Sequence, residues 1–284
     1  MNIIKGILYS NVWIAGAGLS LAWFLQNAIG KELPPIGALF IFACLFAAYT
    51  LLRIWQSKTF EVSPKDEKSQ FIRKHKDALQ QSAIIAIGTA LLCLFFMPGR
   101  LFLAAIPPAL VTLLYFSPQI GKYQFVQLKN KAYLKALLVA LNWAYFLLIF
   151  PLILTDESRI FDLYTLVYFL VIALYIWTLT LIFDIRDAKQ DKERDIKTWY
   201  GLLGLAKMKK ICYAAFVLSL CLMWILYFSQ YISLPAAISF SIGMGCSALA
   251  LHYTHEERSD FWYDALIDGS IFIPSILLAL SGIN

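Results

Sequence analysis

Hydrophobic residues recur along the whole chain in runs of roughly twenty, each long enough to cross a ~30 Å hydrocarbon core as a helix. Backbone polar groups in lipid must be hydrogen-bonded within the segment, which favours helices. The pattern predicts an all-α integral membrane protein, a bundle of nine transmembrane helices. These helices are Ile7–Ile29, Leu33–Trp55, Leu79–Met97, Leu101–Ser117, Ala132–Leu154, Ile160–Phe183, Ile211–Phe228, Ser233–Leu251 and Ala265–Gly282.

The polar connections alternate between short and long, and the long ones share one side of the bundle. They are residues 56–78, 118–131, 184–210 and 252–264. All but three of the 24 basic residues fall on that same side; the exceptions are Lys31, Arg100 and Arg159. Basic residues concentrate in cytoplasmic loops. The charge pattern therefore predicts a cytoplasmic N-terminus and an external C-terminus, with the cell membrane as the expected location.

Composition supports a membrane protein and excludes an ordinary soluble domain. Residues are 60% hydrophobic and 15% charged, whereas soluble domains are roughly 45–50% apolar. No shift in composition divides the chain, so residues 1–284 are predicted to form a single membrane domain. The net charge of +6 is accounted for by anionic lipid headgroups and requires no nucleic acid partner. The five cysteines lie inside predicted spans at spacings that match no zinc or disulfide framework.

Four aspartates repeat at the cytoplasmic end of the sixth predicted helix, where the chain reads FDIRDAKQDKERDIKT. If the helix continues, about 100° per residue places Asp184, Asp187, Asp191 and Asp195 on one narrow face. Like charges four residues apart cost only a few tenths of a kcal/mol, so a solvated acidic surface is one interpretation. Acidic groups at a helix C-terminus also oppose its dipole, which favours a functional role for the stripe.

Carboxylates at a membrane mouth suit Mg²⁺, which binds a few of them and completes its shell with water and substrate phosphates. A bundle with carboxylates at its rim and an apolar interior can hold both halves of a prenyl diphosphate. Trp177 and Thr180 are predicted on the same helix face, deeper in the membrane. Trp177 could shield an allylic cation with its ring face, or it could pack against a neighbouring helix.

This stretch resembles the second aspartate-rich motif of the UbiA superfamily of intramembrane prenyltransferases. That motif runs D-x-x-D-x-x-x-D, followed by a glycine and then by a threonine or serine. Asp184, Asp187, Asp191 and Thr198 match it, and Asp195 stands at the glycine position. The resemblance implies a nine-helix fold in which Asp184, Asp187 and Asp191 are catalytic and bind Mg²⁺. It also implies transfer of a prenyl group from a prenyl diphosphate to an aromatic or other lipid-pathway acceptor.

The family's first motif, N-D-x-x-D-x-x-x-D, is expected at the inner end of the second helix, where this chain reads YTLLRIWQSKTFE. Thr50 stands at the asparagine position, and Arg53 lies at the predicted membrane boundary of this helix. Arg53, with Lys58, could bind the diphosphate while the second motif alone holds Mg²⁺. Alternatively, Arg53 could pair with Asp184 or Asp187 and replace the metal, which would make the protein an inactive isoprenoid-binding or structural relative. A transporter or scaffold of another class is the third interpretation.

Other polar residues in the predicted helices are further candidates. Lys131 and Lys135 enter the fifth helix from the cytoplasm, where they can bind phosphate or extend to lipid headgroups. Asp268 in the ninth helix is a functional hypothesis because carboxylates inside membranes are costly, although an interfacial hydrogen bond is an alternative. Asn142 is expected to hydrogen-bond between helices. The predicted substrate-binding residues are Arg53, Lys58, Lys131, Lys135, Trp177, Thr180 and Thr198.

Overall fold

The structure, a computed structural model, describes residues 3–59, 67–116, 132–193 and 197–282. The α-helices are α1 (Ile3–Tyr9), α2 (Val12–Ala28), α3 (Pro35–Thr59), α4 (Glu67–Lys74), α5 (Lys76–Phe96), α6 (Arg100–Phe116), α7 (Ala132–Ala144), α8 (Phe150–Thr155), α9 (Leu163–Glu193), α10 (Trp199–Phe228), α11 (Leu234–His252), α12 (Asp260–Trp262), α13 (Asp268–Ser270) and α14 (Phe272–Leu280). Two π-helical turns, Tyr145–Ile149 and Tyr263–Ile267, and a 3₁₀ turn, Glu157–Arg159, complete the helical elements.

Six helices in the described ranges are long and apolar enough to cross a membrane. A bent pair, Asp260–Ser270 and Phe272–Leu280, meets at 41° and makes a seventh when counted as one span. This confirms a multi-pass helical membrane protein but not nine full spans. α2 and α6, both predicted as spans, are 17 residues long, which is short of the ~20 residues that a crossing requires.

The first predicted helix, Ile7–Ile29, is broken into α1 and α2. Asn11 lies between them with φ at 66°, in the left-handed region, which asparagine tolerates better than most residues. Its side-chain amide lies 3.4 Å from the Thr50 hydroxyl of α3, to which it donates. One residue in this conformation leaves the apolar pattern intact, so hydropathy did not reveal the break.

α9 is much longer than its membrane crossing, since 31 residues extend about 46 Å. The helix continues past the predicted span Ile160–Phe183 to Glu193, as the interpretation of the aspartate stripe assumed. The predicted loop 184–210 is largely helical, because α10 begins at Trp199. The predicted loop 56–78 likewise contains the end of α3 and all of α4. Hydropathy reports only the part of a helix in lipid, and Asp, Lys, Glu and Gln allow the helix to continue beyond it.

The helices pack so that α9 lies between α7 and α10, while α3 packs against α2 and α5. α11 and α14 approach closely at Gly243, where an added Cβ would lie 2.6 Å from the Pro274 ring. Small residues at such contacts are typical of membrane helix packing. Large apolar side chains on α5 and α6, such as Phe95 (73% exposed) and Leu103 (71% exposed), face outward. These outer faces are suited to lipid.

Candidate active site

A cavity of about 1350 Å³ opens between α3, α5, α6, α7, α9 and the bent last span. Its walls on α5, α6, α7 and the π-helical turn after α7 are largely apolar and include Ile87, Leu91, Leu94, Ala109, Val139 and Phe146. Its other end carries the charged residues Arg53, Lys68, Lys135, Asp184, Arg186, Asp187, Asp191, Asp264 and Asp268. The volume exceeds the roughly 300–1,000 Å³ of a typical ligand pocket. The cavity is therefore large enough for two ligands, each with a polar and an apolar part.

Lys135 of α7 joins two of the α9 aspartates. Its Nζ lies 3.2 Å from Asp184 Oδ1 and 3.4 Å from Asp191 Oδ2. Asp184 and Asp191 are seven residues apart, two helical turns, so both carboxylates face the same direction. Neither carboxylate is exposed by more than a tenth. The two carboxylates thus converge on one cationic group at the cavity wall.

One oxygen of this pair of carboxylates has no partner in the described residues. Asp184 Oδ2 is buried and makes no hydrogen bond there, while Oδ1 accepts from Lys135. A buried carboxylate oxygen without a donor is unfavourable, because its lost hydration is not replaced. Asp184 therefore retains capacity for one more donor or for a cation.

Arg186 of α9 connects the aspartate stripe to the last span. Its guanidinium donates to both oxygens of Asp187, at 2.7 and 3.2 Å. The third nitrogen, Nη1, lies 3.5 Å from Asp264 Oδ1. Its guanidinium carbon also lies 4.7 Å from the centre of the Phe183 ring. The planar guanidinium is suited to this simultaneous binding, and it joins two walls of the cavity.

Lys68 of α4 forms the next ion pair of this chain. Its Nζ donates to Asp264 Oδ2 at 2.6 Å, and both side chains are almost fully buried. Burial lowers the pKa of the Lys68 ammonium, and the Asp264 carboxylate opposes that shift. This ion pair connects α4 to the last span at the charged end of the cavity.

A model of the UbiA prenyltransferase family matches residues 75–273, which include all three matched aspartates of the α9 stripe. The chain belongs to this family. The resemblance identified in the sequence is therefore confirmed, and the family's members are prenyltransferases.

Two solved structures share the UbiA fold with this chain. One is a UbiA homolog from Archaeoglobus fulgidus bound to DMAPP and Mg²⁺. It is 13% identical to this chain, with a TM-score of 0.65, and the match covers 96% of this chain and 95% of that one. The other comes from work on digeranylgeranylglyceryl phosphate synthase in membranes; it is 15% identical, has a TM-score of 0.58, and the match covers 100% and 98% of the two chains. Comparison with curated proteins finds no match.

In place of the first UbiA motif, the structure shows Thr50 and Arg53 on α3. Thr50 is fully buried and accepts from Asn11, so an asparagine is present at this point of the bundle, but it comes from another part of the chain. Arg53 lines the cavity. Asp184 and Asp187 form ion pairs with Lys135 and Arg186 respectively, and the role of Arg53 toward these carboxylates stays a prediction.

Of the other residues predicted to bind substrate, some line the cavity and others do not. Thr180 lines the cavity, as predicted. Trp177 does not lie among the described cavity residues and packs edge-on against Trp199, with ring centroids 5.8 Å apart. This agrees with the alternative in which Trp177 packs against a neighbouring helix, since Trp199 belongs to α10. Thr198 is the N-cap of α10 and accepts from the Gly201 N–H at 3.1 Å.

Two predicted residues and one side chain lie outside the described part of the chain. Lys131 and Asp195 are not within it, and of Lys58 only the backbone is described, within α3. Asn142 behaves as expected: its amide donates to Thr112 of α6 at 3.3 Å. It also lines the cavity.

Sequence reasoning did not identify the ion-pair chain of Lys68, Arg186 and Asp264. Lys68 occurs in a stretch that reads as an ordinary polar loop, so no local pattern distinguished it. The sequence does single out Asp264 and Asp268, because two carboxylates four residues apart at the start of an apolar span are unusual. Arg186 was treated only as a loop charge, since its partner Asp264 is 78 positions away in the sequence.

The carboxylates that could hold Mg²⁺ are Asp184 and Asp191, which already converge on one cation, Lys135 Nζ. The unpartnered Asp184 Oδ2 adds a further oxygen. Within the described ranges, no group of three acidic, histidine or cysteine side chains is arranged to hold a metal alone. The donor set therefore fits Mg²⁺ in company with ligands from outside the protein, such as water and phosphate oxygens, which is a usual mode for this ion.

Proposed function

We propose that the protein transfers a prenyl group from a prenyl diphosphate to an aromatic or other lipid-soluble acceptor, with assistance from Mg²⁺. The observation that carries the proposal is the pair of carboxylates, Asp184 and Asp191, that share Lys135 Nζ at the charged end of a largely apolar cavity. A prenyl diphosphate has the matching form, with a highly charged head and an apolar tail.

The charged end supplies cations for the diphosphate. Lys135, Arg186 and Arg53 all line it. Ammonium and guanidinium groups donate charge-assisted hydrogen bonds to phosphate oxygens. As the bond between C1 of the prenyl group and oxygen breaks, its electron pair leaves with the diphosphate. These cations stabilise the charge that then develops on the leaving group.

Asp184 and Asp191 would hold Mg²⁺ together with diphosphate oxygens. When bound there, the ion supplies further stabilisation of the negative charge on the leaving diphosphate. Lys135 then remains between the carboxylates and the phosphate, where it can donate to either. Asp187 keeps Arg186 oriented through two hydrogen bonds.

The apolar walls of α5, α6 and α7 would bind the prenyl tail and exclude water from the reacting carbon. Leu91, Leu94 and Val139 belong to these walls, and Phe146 adds to them from the π-helical turn after α7. An allylic cation reacts readily with water, so a dry environment favours attack by the acceptor. The acceptor forms the new bond to C1 and loses one proton, which balances the exchange.

The test is binding of dimethylallyl and geranylgeranyl diphosphate to purified protein, with and without Mg²⁺. We expect Mg²⁺-dependent binding that Asp184→Asn weakens about tenfold or more, the effect of a lost interaction with a charged group. Asp77→Asn is the matched control, because Asp77 is an exposed aspartate on the same predicted side of the membrane. Binding without any dependence on Mg²⁺ or on Asp184 would contradict the proposal.

A second candidate is a catalytically inactive relative that binds an isoprenoid or acts structurally. The ion pairs of Lys135 with Asp184 and of Arg186 with Asp187 favour it, because they neutralise the carboxylates without a metal. Under this alternative, Mg²⁺ leaves both diphosphate binding and thermal stability unchanged, and no acceptor is prenylated.

A further inference from the structure

Asp268 is a further buried carboxyl group in the cavity, on α13 of the last span. It is 8% exposed and lines the cavity. Among the described residues its side chain makes no hydrogen bond or ion pair. Moving a carboxyl group out of water is unfavourable unless hydrogen-bond donors replace its hydration. Its position therefore indicates a ligand that supplies a donor.

Asp264, four residues earlier, shows why Asp268 is distinct. One oxygen of Asp264 accepts from Lys68 at 2.6 Å and the other lies 3.5 Å from Arg186. Asp264 is thus already engaged on both oxygens. Asp268 lies about 6 Å further along the helix axis, away from the cytoplasmic mouth. It faces the cavity beyond the last of these ion pairs.

Two polar side chains from the start of α2 line the same cavity. Asn11 is 2% exposed, and its left-handed backbone places it between α1 and α2. Trp13 lies against Gly269, where an added Cβ would be 3.5 Å from its ring. The Trp13 Nε1 is buried with no hydrogen-bond partner among the described residues. We call Asp268, Asn11 and Trp13 the Asp268 patch.

We propose that the Asp268 patch is the acceptor subsite, which binds a neutral, lipid-soluble molecule through a hydroxyl group that donates to Asp268. This inference rests on the proposed transferase function and names the acceptor class. An anionic headgroup at this point has no proton to donate to Asp268. A metal ion would find one free carboxylate, because the oxygens of Asp264 are engaged. A hydroxyl satisfies Asp268 and leaves the rest of the molecule in contact with apolar walls.

The subsite and the diphosphate site lie on different walls of one cavity. The diphosphate wall is α7 and α9, with Lys135 and Asp184, and the acceptor wall is α2 and α13. Arg186 joins the two walls, since it binds both Asp187 and Asp264. Two substrates can therefore enter the cavity with their polar groups side by side.

The test is protection of Asp268 from dicyclohexylcarbodiimide, an apolar reagent that couples to carboxyl groups, followed by peptide mass spectrometry of the wild-type protein. The probes are 2-naphthol, its methyl ether 2-methoxynaphthalene, which cannot donate, and the anion 2-naphthoate. We expect labelling of Asp268 in the free protein and about fivefold stronger protection by 2-naphthol than by the ether, the effect of one hydrogen bond.

Several outcomes would overturn the subsite. These are no labelling of Asp268 in the free protein, equal protection by 2-naphthol and its ether, no protection by either, and stronger protection by 2-naphthoate. Asp268→Asn identifies the labelled position, and measuring the wild-type protein keeps the result independent of that variant's folding.

The same preparation separates this inference from the proposed function. The labelling is carried out without any diphosphate, and Mg²⁺-dependent binding of dimethylallyl diphosphate is measured in parallel. Protection by 2-naphthol without diphosphate binding contradicts the transferase proposal and supports the hydroxyl site. Diphosphate binding without protection by 2-naphthol supports the transferase proposal and contradicts the hydroxyl site.

Discussion

Lys68 Nζ lies 2.6 Å from Asp264 Oδ2, and the two side chains are only 9% and 4% exposed. The residues are 196 positions apart in the sequence. This ion pair fastens the short helix α4 to the last span beside the charged end of the cavity. It is therefore a structural element of the mouth as well as part of its charge balance.

We expect Lys68→Met to destabilise the protein, because it removes the shorter ion pair of the buried Asp264 and leaves Arg186 at 3.5 Å. Removing one partner of a buried pair costs on the order of 3 kcal/mol. The measurement is the thermal midpoint in detergent, with Lys74→Met as the control, since Lys74 is exposed on the same helix. An equal midpoint for the two variants would show that the buried pair does not hold α4 in place.

Lys135→Met should make the protein more responsive to Mg²⁺. Without the ammonium, the carboxylates of Asp184 and Asp191 repel each other, and a divalent cation relieves that repulsion. We expect Mg²⁺ to raise the thermal midpoint of the variant more than that of the wild type. Ca²⁺ serves as the comparison ion. The same Mg²⁺ shift in both proteins would argue that these two carboxylates do not share a cation site.

Arg53→Gln should weaken binding of dimethylallyl diphosphate by about 10- to 100-fold, the effect of losing a charge-assisted hydrogen bond. The two carboxylates proposed to hold Mg²⁺, Asp184 and Asp191, both contact Lys135. We therefore expect the Mg²⁺ response of the thermal midpoint to persist in this variant. A loss of that response with unchanged diphosphate affinity would instead assign Arg53 to the carboxylates.

Thr198→Ala should affect stability and leave substrate affinity unchanged. The Thr198 hydroxyl caps α10 by accepting from Gly201 N–H, and loss of such a cap costs about 1 kcal/mol. Thr198→Ser retains the hydroxyl and is the matched control. If Thr198→Ala weakens diphosphate binding at constant stability, the residue contacts the substrate as the family motif implied.

The orientation of the bundle is a further prediction. A reporter fused after Asp191 should be cytoplasmic, and one fused after Gln230 should be external. The reason is the concentration of basic residues on one side, with Lys31, Arg100 and Arg159 as the exceptions. An external Asp191 would contradict the proposed site, because a soluble prenyl diphosphate would then have to reach it from outside the cell.

Some of the site followed from local sequence. Asp184, Asp187 and Asp191 were predicted together because helical periodicity places them on one face, and in the structure all three line the cavity. Thr180 followed from the same periodicity. Trp177 did not, since its side chain points into the contact with α10, and a single helix carries no information on which neighbour covers which face.

The chain's class and family were determined by sequence alone. Runs of apolar residues specify membrane helices because the bilayer acts on each segment separately, and the aspartate spacing needs only one helix to place its carboxylates. The tertiary structure decided which cations these carboxylates meet. Lys135 is 49 positions from Asp184, and Lys68 is 196 from Asp264. Such pairs depend on how helices pack, on the break at Asn11 and on the bend in the last span, and hydropathy does not encode any of these.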